Sequence, residues 1–333
     1  MKVSIIGGGA WGTTLAQLLN DNGNDVLIED INQKFVDDIN NLHIHPAFNI
    51  AISDKIKATT SLSEALDYSD VIVLCIPTKY VRSELEKINN LINTKKLFIN
   101  VSKGIEPETS KRISELVYEI ISKDKLKGYV VLSGPSHAEE VILRKVTSLV
   151  CASYEEENAL FVQNLFNNPK YLRTYRLDDV IGVEVGGAMK NAIAIVSGVS
   201  TGLGLGENAR AFLISRGIKE ILSIAVALGA DMQTIYGLSG VGDLIVTASS
   251  MNSRNFKCGL EIGRGKSIDE AIGSINQVVE GIRAIEAGYE IGLKYKLDLP
   301  IFNVAHKVIN KEIEVTKALE LLLNRDLKSE KYW

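Results

Sequence analysis

A mostly parallel α/β sheet followed by an all-helical half is the fold class this sequence predicts. Three observations carry the prediction. The chain opens on a strand that runs into three spaced glycines and a helix. Up to about residue 180, continuous apolar runs alternate with helical patterns. Beyond that point only helical patterns follow. At 333 residues the chain is long for one domain, so the change of character divides it into residues 1–180 and 181–333.

The opening strand is Val3-Ser4-Ile5-Ile6, and Gly7-Gly8-Gly9-Ala10-Trp11-Gly12 follows it directly. Strand, Gly-x-Gly-x-x-Gly, helix is the context of a dinucleotide fingerprint. Gly7 allows the tight turn, Gly9 lets a pyrophosphate approach the backbone, and Gly12 lets the helix pack on the strand. Residues 13–19 then read as a helix, whose free N–H groups and positive dipole end would meet the pyrophosphate. This makes the first half a Rossmann-like, doubly wound domain.

A second strand at 25–29 ends in Glu29-Asp30, where the ribose of an adenine dinucleotide would lie. Further strands read at 71–77, 97–101, 129–132, 146–152 and 171–175, the apolar ones as strands buried on both faces. Pro77, Lys103, Gly134 and Ser136 all fall just after strand ends, so they are expected to line one crevice. Helices read at 183–197, 209–228, 267–277, 281–293, 301–309 and 315–323, with a glycine-rich break at 198–206. No flexible linker separates the halves, which places a substrate between them.

Composition narrows the class. The chain is 46% hydrophobic and 23% charged, as a globular protein with a large core would be. A net charge of −4 gives no footprint for nucleic acid. No apolar run reads as long enough to insert in a membrane, and no signal peptide is visible. Cys75, Cys151 and Cys258 are far apart and in no metal-type spacing, which suits a reducing, cytoplasmic setting. His43 and His45 form a loop pair, and no metal site is expected there. Base rates favour a homodimer.

Lys190 is the most informative residue outside the fingerprint. It sits in Gly186-Gly187-Ala188-Met189-Lys190-Asn191-Ala192, a helix small and apolar enough to be buried on most sides. Such a lysine is either desolvated, with its pKa lowered into the range of proton transfer, or snorkels to the surface. Asp243, in Ser239-Gly240-Val241-Gly242-Asp243, either positions an ammonium or caps a helix. Asn252-Ser253-Arg254-Asn255 offers donors suited to a phosphate or carboxylate, or is an ordinary polar loop. Lys103 follows a buried strand, a functional position. Glu280 reads as a helix-start acid.

Taken together, these blocks resemble bacterial NAD(P)-dependent glycerol-3-phosphate dehydrogenases. The matching stretches are 7–13, 101–106, 133–140, 186–191, 206–210, 240–244, 253–255 and 277–281, in order along nearly the whole chain. The resemblance implies reversible hydride transfer between NAD or NADP and the central carbon of dihydroxyacetone phosphate, yielding sn-glycerol 3-phosphate for phospholipid synthesis. It implies that Lys190 is the proton acceptor, with Lys103 and Asp243 as catalytic partners. By the same resemblance, Lys103, Gly134, Ser136, Lys190, Asp243, Ser253, Arg254 and Asn255 contact substrate. Trp11, Lys103, Ala138, Arg254, Val278 and Glu280 contact the cofactor, beside Gly7, Gly9, Ala10, Gly12 and Glu29 of the fingerprint. No metal is needed.

One departure bears on the cofactor. Many relatives of this kind carry a basic residue just after the second strand, suited to the 2′-phosphate of NADPH. Here Glu29-Asp30-Ile31-Asn32-Gln33-Lys34 puts the acids first, and NAD is the expected preference. Two other readings compete. A dehydrogenase of hydroxyacids or sugar acids would need no phosphate clamp. A nucleotide-sensing regulator would need a partner-binding module, which the acidic charge and the polar residues of the helical half do not suggest.

Overall fold

The computed structural model describes residues 1–107, 109–275, 278–327 and 329–330. Its strands are β1 (Lys2–Ile6), β2 (Asp25–Glu29), β3 (Lys57–Thr59), β4 (Val71–Leu74), β5 (Lys96–Asn100), β6 (Leu126–Ser133), β7 (Thr147–Ala152) and β8 (Leu172–Leu177). They form one sheet in the order β3-β2-β1-β4-β5-β6-β7-β8. Every neighbouring pair is parallel except β6 and β7. Strand order reverses between β1 and β4, and at such a switch point the connections leave a crevice beyond the strand ends. The glycine turn sits there: Gly7 N–H donates to Glu29 O, and Cys75 N–H to Ile6 O, each at 2.8 Å.

The helices of this half are α1 (Ala10–Asp21), α2 (Gln33–Asp37), α3 (Leu62–Tyr68), α4 (Val81–Leu91), α5 (Ile113–Ile120), α6 (Ala138–Val141) and α7 (Glu156–Phe166). Alternation along each strand feeds two cores. Val3, Ile5, Val26 and Ile28 pack with α1 and α7 on one face. Ile6, Leu27, Ile72 and Leu74 pack with α3, α4 and α5 on the other. Strand β3 was not expected, because Lys57-Ala58-Thr59 is a short edge with no apolar run. The run 71–77 gives strand only to Leu74, since the chain leaves the sheet toward Pro77.

No strand occurs among the described residues after β8. The helices that follow are α8 (Val180–Gly202), α9 (Gly206–Ala227), α10 (Met232–Tyr236), α11 (Asp243–Ala248), α12 (Arg254–Gly263), α13 (Ile268–Gly273), α14 (Glu280–Tyr295), α15 (Pro300–Ile309) and α16 (Val315–Leu323). Residues 252–255 therefore open a helix rather than a loop, with Ser253 Oγ accepting from Phe256 N–H as its cap. The end of the expected helix 267–277 falls partly on Asn276 and Gln277, outside the described residues; α13 itself stops at Gly273.

Helix α8 is the axis of this half, and it corrects two expectations. The glycines at 198 and 202 do not break it. A Cβ on Gly198 would lie 2.1 Å from Phe256 O, and one on Gly259 2.0 Å from Ile195 O. These glycines let α8 and α12 touch backbone to backbone; the break comes at Leu203 to Leu205, beside the left-handed Gly204. Nor is every apolar run too short for a membrane. Helix α8 is long and apolar enough by composition, but 89% of that stretch is buried inside the protein, as a core helix is.

His45 and His43 do not converge. The His45 ring is fully buried against α1, where Nε2 lies 3.0 Å from Ala10 O and Nδ1 accepts from Ala47 N–H at 3.2 Å. That pattern fixes the neutral tautomer with the proton on Nε2. Burial pulls its pKa down to about 4. A histidine pKa depressed on folding stabilises the fold fully above its unfolded value, about 6.5. The contribution is lost as pH falls from about 6.5 toward 4. At about 1.4 kcal/mol per pH unit, up to roughly 3 kcal/mol is at stake. In urea titrations, the stability gap between wild type and His45→Gln should shrink over that window; a gap independent of pH would refute this.

Candidate active site

Three charged groups meet where α8 and α11 face the strand ends. Asp243 is the first residue of α11 and is 1% exposed. Its Oδ1 accepts from Lys190 Nζ at 2.8 Å, and its Oδ2 accepts from Lys103 Nζ at 2.7 Å. Lys103 Nζ also donates to Gly134 O at 2.7 Å and reaches Ser136 Oγ at 3.5 Å. The expected crevice lining of Lys103, Gly134 and Ser136 is thus assembled, and Asp243 joins it to the helical half. Asp243 is no side-chain cap; its carboxylate goes to the two lysines.

Lys190 does not snorkel. It is buried within α8, and Thr247 Oγ1 accepts a second bond from its Nζ at 2.6 Å. An ammonium has three protons. Asp243 and Thr247 take two, which leaves one for whatever enters. Burial pulls the Lys190 pKa down to about 8; Asp243 opposes this, while Lys103 and Arg254 add to it. Burial works against ionisation of Asp243 as well, but Lys103 and Lys190 outweigh it and hold that carboxyl below its usual range. His137, nearby on the sheet side, is also lowered, first by burial and then by the two lysines.

Thr247 escaped the sequence reading, though it lies four residues after Asp243. Had α11 been recognised, that spacing alone would have put both on one face. Thr78 escaped as well. Its N–H and Oγ1 donate to the Glu280 carboxylate at 3.2 and 2.7 Å, so Glu280 bridges the helical half to the end of β4.

Two asparagine amides form a second bridge. Asn191 Nδ2 donates to Lys103 O at 3.1 Å, and Asn255 Nδ2 to Asn191 Oδ1 at 2.9 Å. Asn255 Oδ1 accepts from Gly281 N–H at 2.9 Å. The Asn255 side chain is therefore engaged inside the protein, and a phosphate at this helix start would meet its backbone N–H. Arg254 stands exposed beside it, with Glu280 and Glu139 as the facing acids. Ala138 opens α6 and Val278 immediately precedes the turn into α14.

The glycine turn fits a dinucleotide. A Cβ on Gly7 would lie 2.4 Å from Cys75 O, whereas one on Gly9 would meet nothing within 4 Å. Gly9 caps α1 without a side-chain hydrogen bond, so the first-turn N–H groups are open toward the crevice. The acid at this turn is Asp30, not Glu29. Asp30 Oδ2 accepts from Gly8 N–H at 2.7 Å, and Oδ1 from Asn32 N–H at 2.8 Å. Glu29 is 5% exposed and lies on the α4 side of the sheet. Burial first, then Glu84 and Asp30, push its carboxyl up to about 7. The reason is strand alternation: Ile28 faces α1, so Glu29 faces the other way.

Such a site belongs to the two-domain oxidoreductases that work with a nicotinamide dinucleotide. Comparison with known proteins narrows the class. Residues 2–159 match the family described as NAD-dependent glycerol-3-phosphate dehydrogenase N-terminus, and residues 179–320 its C-terminus. A glycerol-3-phosphate dehydrogenase [NAD(P)+] of Acholeplasma laidlawii is 54% identical over 330 residues, 99% of each chain. One from Macrococcus caseolyticus is 42% identical over 332 residues, covering 99% of this chain and all of the other. The crystal structure of the Coxiella burnetii glycerol-3-phosphate dehydrogenase superposes with a TM-score of 0.91 at 29% identity, covering 97% of this chain and 99% of that one. The chain belongs to the NAD-dependent glycerol-3-phosphate dehydrogenase family. It is an oxidoreductase acting on a CH–OH group.

Proposed function

We propose that this protein interconverts dihydroxyacetone phosphate and sn-glycerol 3-phosphate, supplying the latter for phospholipid synthesis. The observation that carries the reading is the Lys103–Asp243–Lys190 cluster opposite the glycine turn. Bound nicotinamide dinucleotide would supply or accept the hydride at the central carbon. Gly7, Gly9, Ala10, Trp11 and Gly12 would hold its pyrophosphate, and Ala138, Arg254, Val278 and Glu280 would contact the rest of it. As negative charge builds on the substrate oxygen, the third proton of Lys190 is placed to move onto it. Lys103 stabilises that oxygen, and Asp243 holds both ammonium groups in direction. Ser253, Arg254 and the start of α12 receive the phosphate, as helix starts do. Unpaired cysteines suit the cytosol. A homodimer remains the base-rate expectation.

Lys190→Ala should lose at least roughly 10²-fold in kcat, the lower range for general acid–base catalysis, while dinucleotide binding persists. In the wild type, glycerol 3-phosphate oxidation should rise as pH passes about 8, because Lys190 must shed its proton first. A near-normal kcat in the variant refutes the assignment.

Arg254→Ala should cost about 2–5 kcal/mol in kcat/KM toward dihydroxyacetone phosphate, since the phosphate loses its charged partner. Unphosphorylated dihydroxyacetone should be affected far less. Equal losses on both substrates, with NADH affinity measured alongside, would exclude a phosphate clamp.

The cofactor preference follows from Asp30. Its carboxylate stands where ribose hydroxyls would donate to it, and a 2′-phosphate would be repelled. Two unit charges about 6 Å apart at an effective dielectric near 20 repel by roughly 3 kcal/mol, and solvent screening lowers this. Lys34 offers little relief, because its side chain is exposed and solvent screens its charge; the nearest acid, Asp38 just past α2, stands 3.9 Å away. NADH should therefore be preferred. Asp30→Asn should narrow the NADH-to-NADPH ratio of kcat/KM several-fold, and Glu29→Gln should leave it nearly unchanged. A wild type favouring NADPH sinks this reading.

A further inference from the structure

We infer that Glu184 is the positioning residue that sets the spacing between Lys103 and Lys190. The inference rests on the roles proposed above for those lysines. Glu184 lies on α8 six residues before Lys190, about 9 Å along the axis at 1.5 Å per residue. It is 7% exposed, and its carboxylate receives four donors, all from the sheet half. Oε1 accepts from Ser114 N–H at 2.8 Å and Tyr129 Oη at 2.6 Å. Oε2 accepts from Ser114 Oγ at 2.5 Å and Arg112 Nη1 at 3.2 Å.

Ser114 sits in the first turn of α5, where a carboxylate is favoured by the helix dipole. The segment that leads into this turn begins at the end of β5 and carries Lys103. In mid-course Arg82 grips Glu106 through two bonds of 2.6 and 2.9 Å. The sheet fixes one end of the segment, and Glu184 fixes the other. Because Glu184 and Lys190 share one helix, a single carboxylate ties both lysine-bearing elements together.

The groups facing Glu184 are Arg112, Tyr129 and Tyr118, with Glu115 and Tyr154 beyond Arg112. Those facing Lys190 are Asp243, Lys103, Arg254 and His137. Lys103 helps hold the Lys190 pKa down. Loosening the segment should move that cation off, and the Lys190 midpoint should rise.

Glu184→Gln would set an amide N–H against the Arg112 and Ser114 donors. Its kcat for glycerol 3-phosphate oxidation should fall on the order of tenfold or more, as small misplacements of reacting groups do. The alkaline midpoint of its pH–rate profile should rise, while the dissociation constant for NADH stays at the wild-type value. Ser114→Ala and Tyr129→Phe each remove one bond to Glu184, the former also the bond from Arg112 to Ser114 Oγ, and should shift the midpoint the same way by less; they carry the test if Glu184→Gln does not fold. An unmoved midpoint in folded variants, or a wild-type rate per folded molecule, overturns the positioning role. Lys190→Ala run in parallel separates the two ideas. If it retains the wild-type rate, the reading of the lysines fails and this role with it. If it is inactive while the Glu184 and Ser114 variants behave as wild type, only the positioning role fails.

Discussion

The structure depends on one buried carboxylate shared by two ammonium groups. An unpaired charge in a protein interior is so costly that the group neutralises instead. Asp243 stays ionised because Lys103 and Lys190 sit within 2.8 Å of its two oxygens. In turn, Asp243 opposes the burial that lowers the Lys190 pKa. The three come from the end of β5, from α8 and from α11, so the ion cluster exists only when the sheet half and the helical half are docked. The contact between the halves and the ion cluster are therefore built from the same residues.

That docking explains the composition of α8. A helix holding an ion in its middle must be surrounded closely enough to exclude water, and large side chains would keep its neighbours away. The sequence supplies glycine where backbones must touch. A Cβ on Gly186 would lie 2.9 Å from Ser239 O, just before the segment that delivers Asp243. Gly198 and Gly259 do the same along α12, which delivers Arg254. The small-residue pattern that marks α8 as buried is therefore also what brings Asp243 and Arg254 to the site.

Much of this was legible before the structure, where the signal is local. The glycine turn is covalently continuous with its strand and helix, so spacing alone specifies it. Lys190 is conspicuous because, Asn191 apart, its neighbours from Val185 to Val196 are small or apolar. The convergence on Asp243 was not legible, since its partners lie 53 and 140 positions away. Helices α10 and α11 were missed because they run for only five and six residues, and α12 because its start at Ser253-Arg254-Asn255 reads equally as a loop. Asp30 and Glu29 are a subtler case. All three residues before Glu29 are apolar, so only the fold shows that Ile28 packs toward α1 and Leu27 toward α4, which puts Glu29 on the α4 face; a one-residue step along a strand reverses every side chain. The motif named the end of the strand; the pleat decided which acid faces the turn.

The charges left over after pairing define what the site can accept. Lys103 and Lys190 against Asp243 leave one positive charge in a space largely closed to water, with Arg254 at the rim faced by Glu280 and Glu139. Fields in such a space are stronger than in solution because little solvent is present to screen them. Glu280 does not cancel the inner charge, since Thr78 holds its carboxylate toward β4. A ligand oxygen that turns negative beside Lys190 would meet this inner positive charge. The third proton of Lys190 points its use the same way: Thr247 and Asp243 fix the ammonium without saturating it.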